Sequence, residues 1–190
     1  AQDQILKSSP EGIWGEGILK SIRTADMAIV NLECPLTAHP TPYARVGMNL
    51  KADPECARIF SDAGFTLATL ANNHIYDFGE RGLLDTISAC DAVGLPTTGA
   101  GKTLAAAKAV YSEVVNNQKI SVICVAENER SAATSAHGGA HPLNVIENSR
   151  MIRAASRSSD YVIVIIHGGN EYADYPSSRS VQQYRFYVEQ

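Results

Sequence analysis

Apolar and polar positions fall along this chain in blocks whose lengths separate strands from helices. Residues 26–32 carry Met27, Ala28, Ile29 and Val30 in one short run and read as a first strand. Residues 54–63 read as a helix, because Asp53 can cap it, Pro54 suits its first turn and Gly64 ends it. Residues 65–71 follow as a second strand of β-favouring and small side chains. A helix is predicted over 81–93, with Leu83, Leu84, Ile87 and Cys90 on one face and Gly94 at its end. Residues 109–115 and 119–126 flank Asn116-Asn117-Gln118 and predict a hairpin. Residues 145–158 form a further amphipathic pattern, anchored by Val145, Ile146, Met151 and Ile152. Residues 161–166 are a last β-rich run, continuous enough to be buried on both faces. Strands that alternate with helices predict an α/β sheet of mixed direction.

The polar blocks share one property: each closes a predicted strand. Asn31-Leu32-Glu33 ends the first, Asn72-Asn73-His74 the second, Glu127-Asn128-Glu129 the third and His167-Gly168-Gly169-Asn170-Glu171 the last. In open α/β sheets ligands bind above the carboxyl ends of the strands, so four such ends predict one site. Glu33 suits a hard-metal ligand, a general base or a loop charge that reaches solvent. Asn73 and His74 set an amide oxygen beside an imidazole, a pair that can serve metal and substrate together. Asp77 is close enough to accept a hydrogen bond from His74 and fix its tautomer, or else it caps the turn before Gly79. His167 ends so apolar a strand that its ring is either buried or turned to the site. Asn31, Asn72 and Glu171 are candidate substrate contacts from the same strand ends.

Composition narrows the classes. The 190 residues fit one domain, and 45% hydrophobic with 19% charged residues describes an ordered globular chain. A net charge of −4 without a dense Lys/Arg cluster lacks the footprint of a nucleic-acid binder. The apolar run from Val162 to Ile166 is too short to cross a bilayer, and Ala1-Gln2-Asp3-Gln4 shows no signal-peptide pattern. Cys34, Cys56, Cys90 and Cys124 stand apart, so they read as buried free thiols and not as a thiolate zinc site. Gly99-Ala100-Gly101-Lys102-Thr103 fails as a phosphate loop, because Pro96 stands where the first glycine belongs. His137-Gly138-Gly139-Ala140-His141 has the histidine spacing of a zinc helix but no glutamate and two glycines, and reads as a polar loop.

With these residues assembled, the chain resembles the capsule-synthesis CapA family, the poly-γ-glutamate biosynthesis proteins, within the calcineurin-like metallophosphoesterase superfamily. Four segments carry the resemblance, in family order. They are Val30-Asn31-Leu32-Glu33-Cys34-Pro35-Leu36-Thr37, Leu70-Ala71-Asn72-Asn73-His74-Ile75-Tyr76-Asp77-Phe78-Gly79, Thr98-Gly99-Ala100-Gly101 and His167-Gly168-Gly169-Asn170-Glu171-Tyr172. The resemblance implies a metallophosphatase-like four-layer αββα sandwich with mixed sheets, in a single domain over residues 1–190. It implies Glu33, Asn73 and His167 as ligands of divalent metal ions (Mn, Fe, Zn or Mg, two in the complete protein). It gives His74 the task of contacting substrate and assisting the leaving group, with Asp77 beside it. Hard oxygen and imidazole donors suit these ions better than soft copper.

The resemblance also implies a role in making or exporting a poly-γ-glutamate capsule. The expected substrate is anionic polyglutamate or another amide or phosphoester. The expected setting is extracytoplasmic or membrane-associated, with a capsule-synthesis membrane complex as partner and no nucleic acid. The alternative is a non-catalytic subunit that binds polymer in the same cleft without turnover. The family's opening Gly-Asp motif is expected before residue 1, and its Gly-His-His-Pro-His loop after Gln190. This stretch is therefore expected to be cut at both ends, and to bind metal weakly and hydrolyse little.

Overall fold

Strand β1 (Ile29–Asn31) pairs in parallel with β2 (Leu67–Thr69), which pairs in parallel with β3 (Thr97–Thr98). The computed structural model describes residues 9–44, 47–127, 129–170 and 172–190. As the middle strand, β2 is buried along its whole length, which is why its sequence is apolar or small throughout. Ordered pairing is shorter than the apolar runs predicted, with three register pairs from Ile29 opposite Leu67 to Asn31 opposite Thr69.

A two-residue strand β4 (Ala100–Gly101) follows β3 directly. Strands β5 (Tyr111–Val115) and β6 (Gln118–Ala126) then form the predicted hairpin. Its loop is Asn116 and Asn117 alone, both at positive φ (50° and 64°), the conformation that tight hairpins demand and asparagine tolerates. Gln118 belongs to the strand. β7 (Gly139–Ala140) pairs antiparallel with β4, and β8 (Tyr161–His167) lies parallel to β6, up to Ala126 opposite His167. Both directions occur in the second sheet, as the sequence predicts.

The period of two along β6 builds two cores. Val122, Cys124 and Ala126 point to a cluster shared with Leu67, Leu70 and Leu83, between the two sheets and under the first layer of helices. Ile123 and Val125 point the other way, onto Ile152, Ala155 and Tyr187. Helices α1 (Pro10–Trp14) and α2 (Glu16–Thr24) add a small cluster in which Leu19, Ile22, Ala28 and Ala63 are buried. After a 3₁₀ turn at Pro54–Cys56, α3 (Ala57–Ala63) ends at Gly64 with φ 102°. Helix α4 (Gly79–Ala92) buries Leu83 and Cys90, as its spacing predicts. Short α5 (Leu104–Ala107) links the sheets.

Helix α6 (Val145–Ser156) corrects one expectation: Val145 and Ile146 are exposed, and the buried face is Asn148, Ser149, Ile152 and Ala155. Asn144 caps the helix by accepting from the Glu147 N–H at 3.1 Å, which turns the first two apolar residues outward. Helix α7 (Ser178–Val188) closes the described chain over β8. The layers run helix, sheet, sheet, helix.

Candidate functional site

Parallel pairing within each sheet brings the carboxyl ends of β1, β2, β6 and β8 to one edge, where a cleft of about 430 Å³ opens. Glu33, Asn73, His74, Glu127, Glu129 and His167 line it. His167 Nε2 lies 3.1 Å from Asn73 Oδ1 and 3.7 Å from Glu33 Oε1. Three residues from three different strand ends therefore meet around one imidazole nitrogen. Beside them, His74 Nδ1 lies 2.7 Å from Asp77 Oδ2, and the same oxygen accepts from the Leu50 N–H at 2.8 Å. The acceptor on both sides assigns the proton to Nδ1 of His74.

Asn72 has a different task. It is fully buried, and its Oδ1 accepts from the His74 and Ile75 N–H groups at 3.1 and 2.8 Å. Its Nδ2 donates to Leu32 O at 2.9 Å and to Asn31 Oδ1 at 3.3 Å. Asn31 in turn donates to Glu33 Oε2 at 3.0 Å. One buried amide thus ties the end of β1 to the end of β2, and holds Glu33 at the right height beside Asn73. Glu171 lies outside the described residues.

The donor set fits one hard divalent ion in part. Glu33 Oε1, Asn73 Oδ1 and His167 Nε2 are the oxygen and imidazole atoms such ions prefer, and they already converge. Glu33 is half exposed and His167 a quarter exposed, so an ion has a path to them. Among the described residues no three His, Cys, Asp or Glu side chains gather to hold a metal, so the trio depends on its amide oxygen.

Over residues 1–190 the chain matches the family model described as "Bacterial capsule synthesis protein PGA_cap". The chain belongs to this capsule synthesis family. Two relatives agree: the capsule biosynthesis protein CapA of Bacillus anthracis, 29% identical over 167 residues, and the PGA biosynthesis protein CapA of Bacillus subtilis, 29% identical over 168. These matches cover 83% and 84% of this chain but 41% and 43% of the relatives, so the chain spans less than half their length. Among solved structures, "Putative 5'-Nucleotidase from Staphylococcus aureus" superposes with a TM-score of 0.50 at 16% identity, over 70% of this chain and 28% of that one. The fold is the metallophosphatase-like α/β fold of that neighbour.

In this member of the capsule synthesis family the remaining motif segments have structural reasons. Gly99, at φ 86°, passes where the sheets meet: a Cβ there would lie 2.8 Å from the Cβ atoms of both Ala71 and Cys124. Gly168 leaves room for Glu127, whose Cγ would lie 2.4 Å from an added Cβ. Leu36 N–H donates to Thr86 Oγ1 at 2.8 Å, which pins the segment after Glu33 to α4.

Sequence reading missed two features. His141, placed in a polar loop, instead follows β7, is buried, and bonds through its backbone to Gly99 O at 2.8 Å and Ala126 N at 2.9 Å. Burial pushes its pKa down to about 4, so its ring is neutral. Cys34 is only half-buried, yet burial, with Cys56, Asp77 and Glu33 nearby, pushes its thiol up to about 11 and leaves it unreactive. Glu127 and Glu129 line the cleft, as the polar block that closes β6 predicts. A larger cavity of about 580 Å³ lies elsewhere, between β8 and α7, against Ile152, Val162, Val164 and Tyr187. No helix among the described residues is long and apolar enough to cross a membrane.

Proposed function

We propose that this chain carries the working cleft of a poly-γ-glutamate capsule synthesis protein, a metal-dependent hydrolase-like site that acts on the amide links of an anionic polymer. The observation that supports it most is the meeting of Glu33, Asn73 and His167 around one point, with the His74–Asp77 pair in the same cleft. Glu33 Oε1, Asn73 Oδ1 and His167 Nε2 would hold a divalent ion. Such an ion supplies a Lewis acid for the scissile carbonyl or phosphoryl group and an acidified water. His167 would ligate through the Nε2 lone pair of its neutral ring, and its contact with Asn73 would give way to that ligation.

The rest of the chemistry belongs to the chain. Asp77 holds the proton on Nδ1 of His74 and so presents the Nε2 lone pair, which takes a proton from the attacking water and then passes it to the departing group. The Leu50 N–H on the same carboxylate oxygen keeps Asp77 from turning away. The cleft, lined by Glu33, Glu127 and Glu129, would favour a cation next to the reacting bond, and that charge would offset the repulsion of an anionic substrate. In a whole protein of this family the cleft would face the polymer outside the cytoplasm, next to a membrane-bound synthesis complex.

A binding subunit without turnover is the second reading, favoured by the lack of a three-residue His/Cys/Asp/Glu cluster among the described residues. Metal analysis and hydrolysis of γ-glutamyl amides and simple phosphoesters by the full-length protein separate the two. The hydrolase reading expects a bound divalent ion and a kcat lowered by about 10²–10⁴-fold in His74→Ala with metal retained. A metal-free protein that binds polymer and turns nothing over establishes the second reading instead.

A further inference from the structure

A second, smaller cavity of about 150 Å³ adjoins the cleft and shares Asn73 and Glu129 with it. Tyr43, Tyr76, Arg130 and Ser131 form its other walls. Tyr76 is buried and meets Tyr43 edge to face at 5.3 Å. The Arg130 guanidinium lies over the Tyr43 ring, 5.3 Å from its centroid. Tyr43 N–H donates to Asp77 O at 2.7 Å, which fixes this wall to the turn that carries His74.

Two facts point to a ligand. Ser131 is 2% exposed, and its buried hydroxyl has no hydrogen-bond partner among the described residues. Its backbone is held by the Ala140 N–H, which donates to Ser131 O at 2.6 Å and keeps the buried residue at the cavity wall. Proteins rarely bury a hydroxyl without a partner, and an entering acceptor oxygen satisfies it. Second, Arg130 forms no ion pair among the described residues, while stacking on Tyr43 holds its planar fork at the cavity wall.

We propose that this cavity is a carboxylate subsite of the substrate, in which Arg130 pairs with both oxygens and Ser131 donates to one of them. The proposal rests on the polyglutamate reading of the adjoining cleft and names how that polymer is held in register. Each interior residue of a γ-linked chain carries one free α-carboxylate, one per amide link. A carboxylate seated here therefore sets a neighbouring amide beside Asn73 and His74. At about 150 Å³ the cavity has room for a carboxylate and its nearest carbons. A planar monoanion fits better than phosphate. Arg130 is the one cation among the residues that line the cavity, and Asp77 and Glu129 oppose a dianion.

The test is an NMR titration of the isotope-labelled chain with N-acetylglutamate γ-methylamide, its neutral α-carboxamide counterpart and inorganic phosphate. The carboxylate is expected to shift the Tyr43, Tyr76, Arg130 and Ser131 signals, and the neutral analogue to bind at least tenfold more weakly. Arg130→Gln is expected to weaken the carboxylate at least tenfold and Ser131→Ala several-fold, with Mn²⁺ binding unchanged in both. The subsite is overturned if the carboxylate leaves these signals in place, if Arg130→Gln binds it as well as the parent, or if phosphate binds more tightly. A glutamate oligomer separates the two proposals. If the small carboxylate binds here and the oligomer does not bind at all, the subsite stands and the polymer reading falls.

Discussion

At the scale of single residues, Asn72 and Asn73 show how neighbouring identical side chains come to different tasks. Asn73 opens to the cleft, whereas Asn72 turns inward and spends its amide on Leu32, Asn31 and the His74–Ile75 backbone. The sequence shows the pair but not which member faces in, because a strand end leaves the alternation of faces and enters a turn. The meeting of His74 with Asp77 was legible, since three residues of spacing in a turn suffice. The meeting of Asn73 with His167, 94 residues apart, needed the two sheets. Asn72→Ala is expected to cost roughly 2–4 kcal/mol of folding stability, because two buried N–H groups and one carbonyl lose their partner. Urea denaturation checks this, and a change within about 0.5 kcal/mol, the range of a neutral surface site, would refute the bracing role.

At the scale of elements, the long periodic segments were readable and the short ones were not. The hairpin, α4 and β8 stand close to where their patterns place them. Helices α1, α2 and α7 went unpredicted: α1 is a single turn, and α7 mixes polar residues with a buried Tyr187. β4 and β7 have two residues each and exist only because the sheets bring Ala100 opposite Ala140. Gly99 tests this junction. Gly99→Ala combines a positive φ with overlap on both Ala71 and Cys124, and is expected to cost roughly 3 kcal/mol or more. Gly94→Ala, also at positive φ (69°) but with nothing within 4 Å, is expected to cost only about 1–2 kcal/mol. Equal thermal midpoints for the two variants would show that the sheet junction is looser than described.

At the scale of the whole molecule, two sheets pack so that their carboxyl ends share one edge, and His141 is buried where β7 leads back toward them. Its pKa is about 4 when folded against 6.5 ordinarily, so the unfolded chain binds the extra proton between those values. Stability therefore falls as pH drops from 6.5 toward 4, by up to about 3 kcal/mol. His141→Gln is expected to flatten that slope in urea titrations at stepped pH, and an unchanged slope would place the acid sensitivity elsewhere. The shared edge was legible as four polar strand ends. The cavity beside it was not, because Tyr43, Tyr76 and Arg130 come from loops whose approach no local pattern records. The central claim is that Glu33, Asn73 and His167 form a metal seat. Isothermal titration of Mn²⁺ and Zn²⁺ into this chain and its His167→Ala and Asn73→Ala variants tests it most directly. Saturable binding is expected, weakened at least about tenfold in each folded variant, since even supporting residues are worth 10–100-fold in metal affinity. Equal affinity in all three proteins, with the fold intact by circular dichroism, would contradict it.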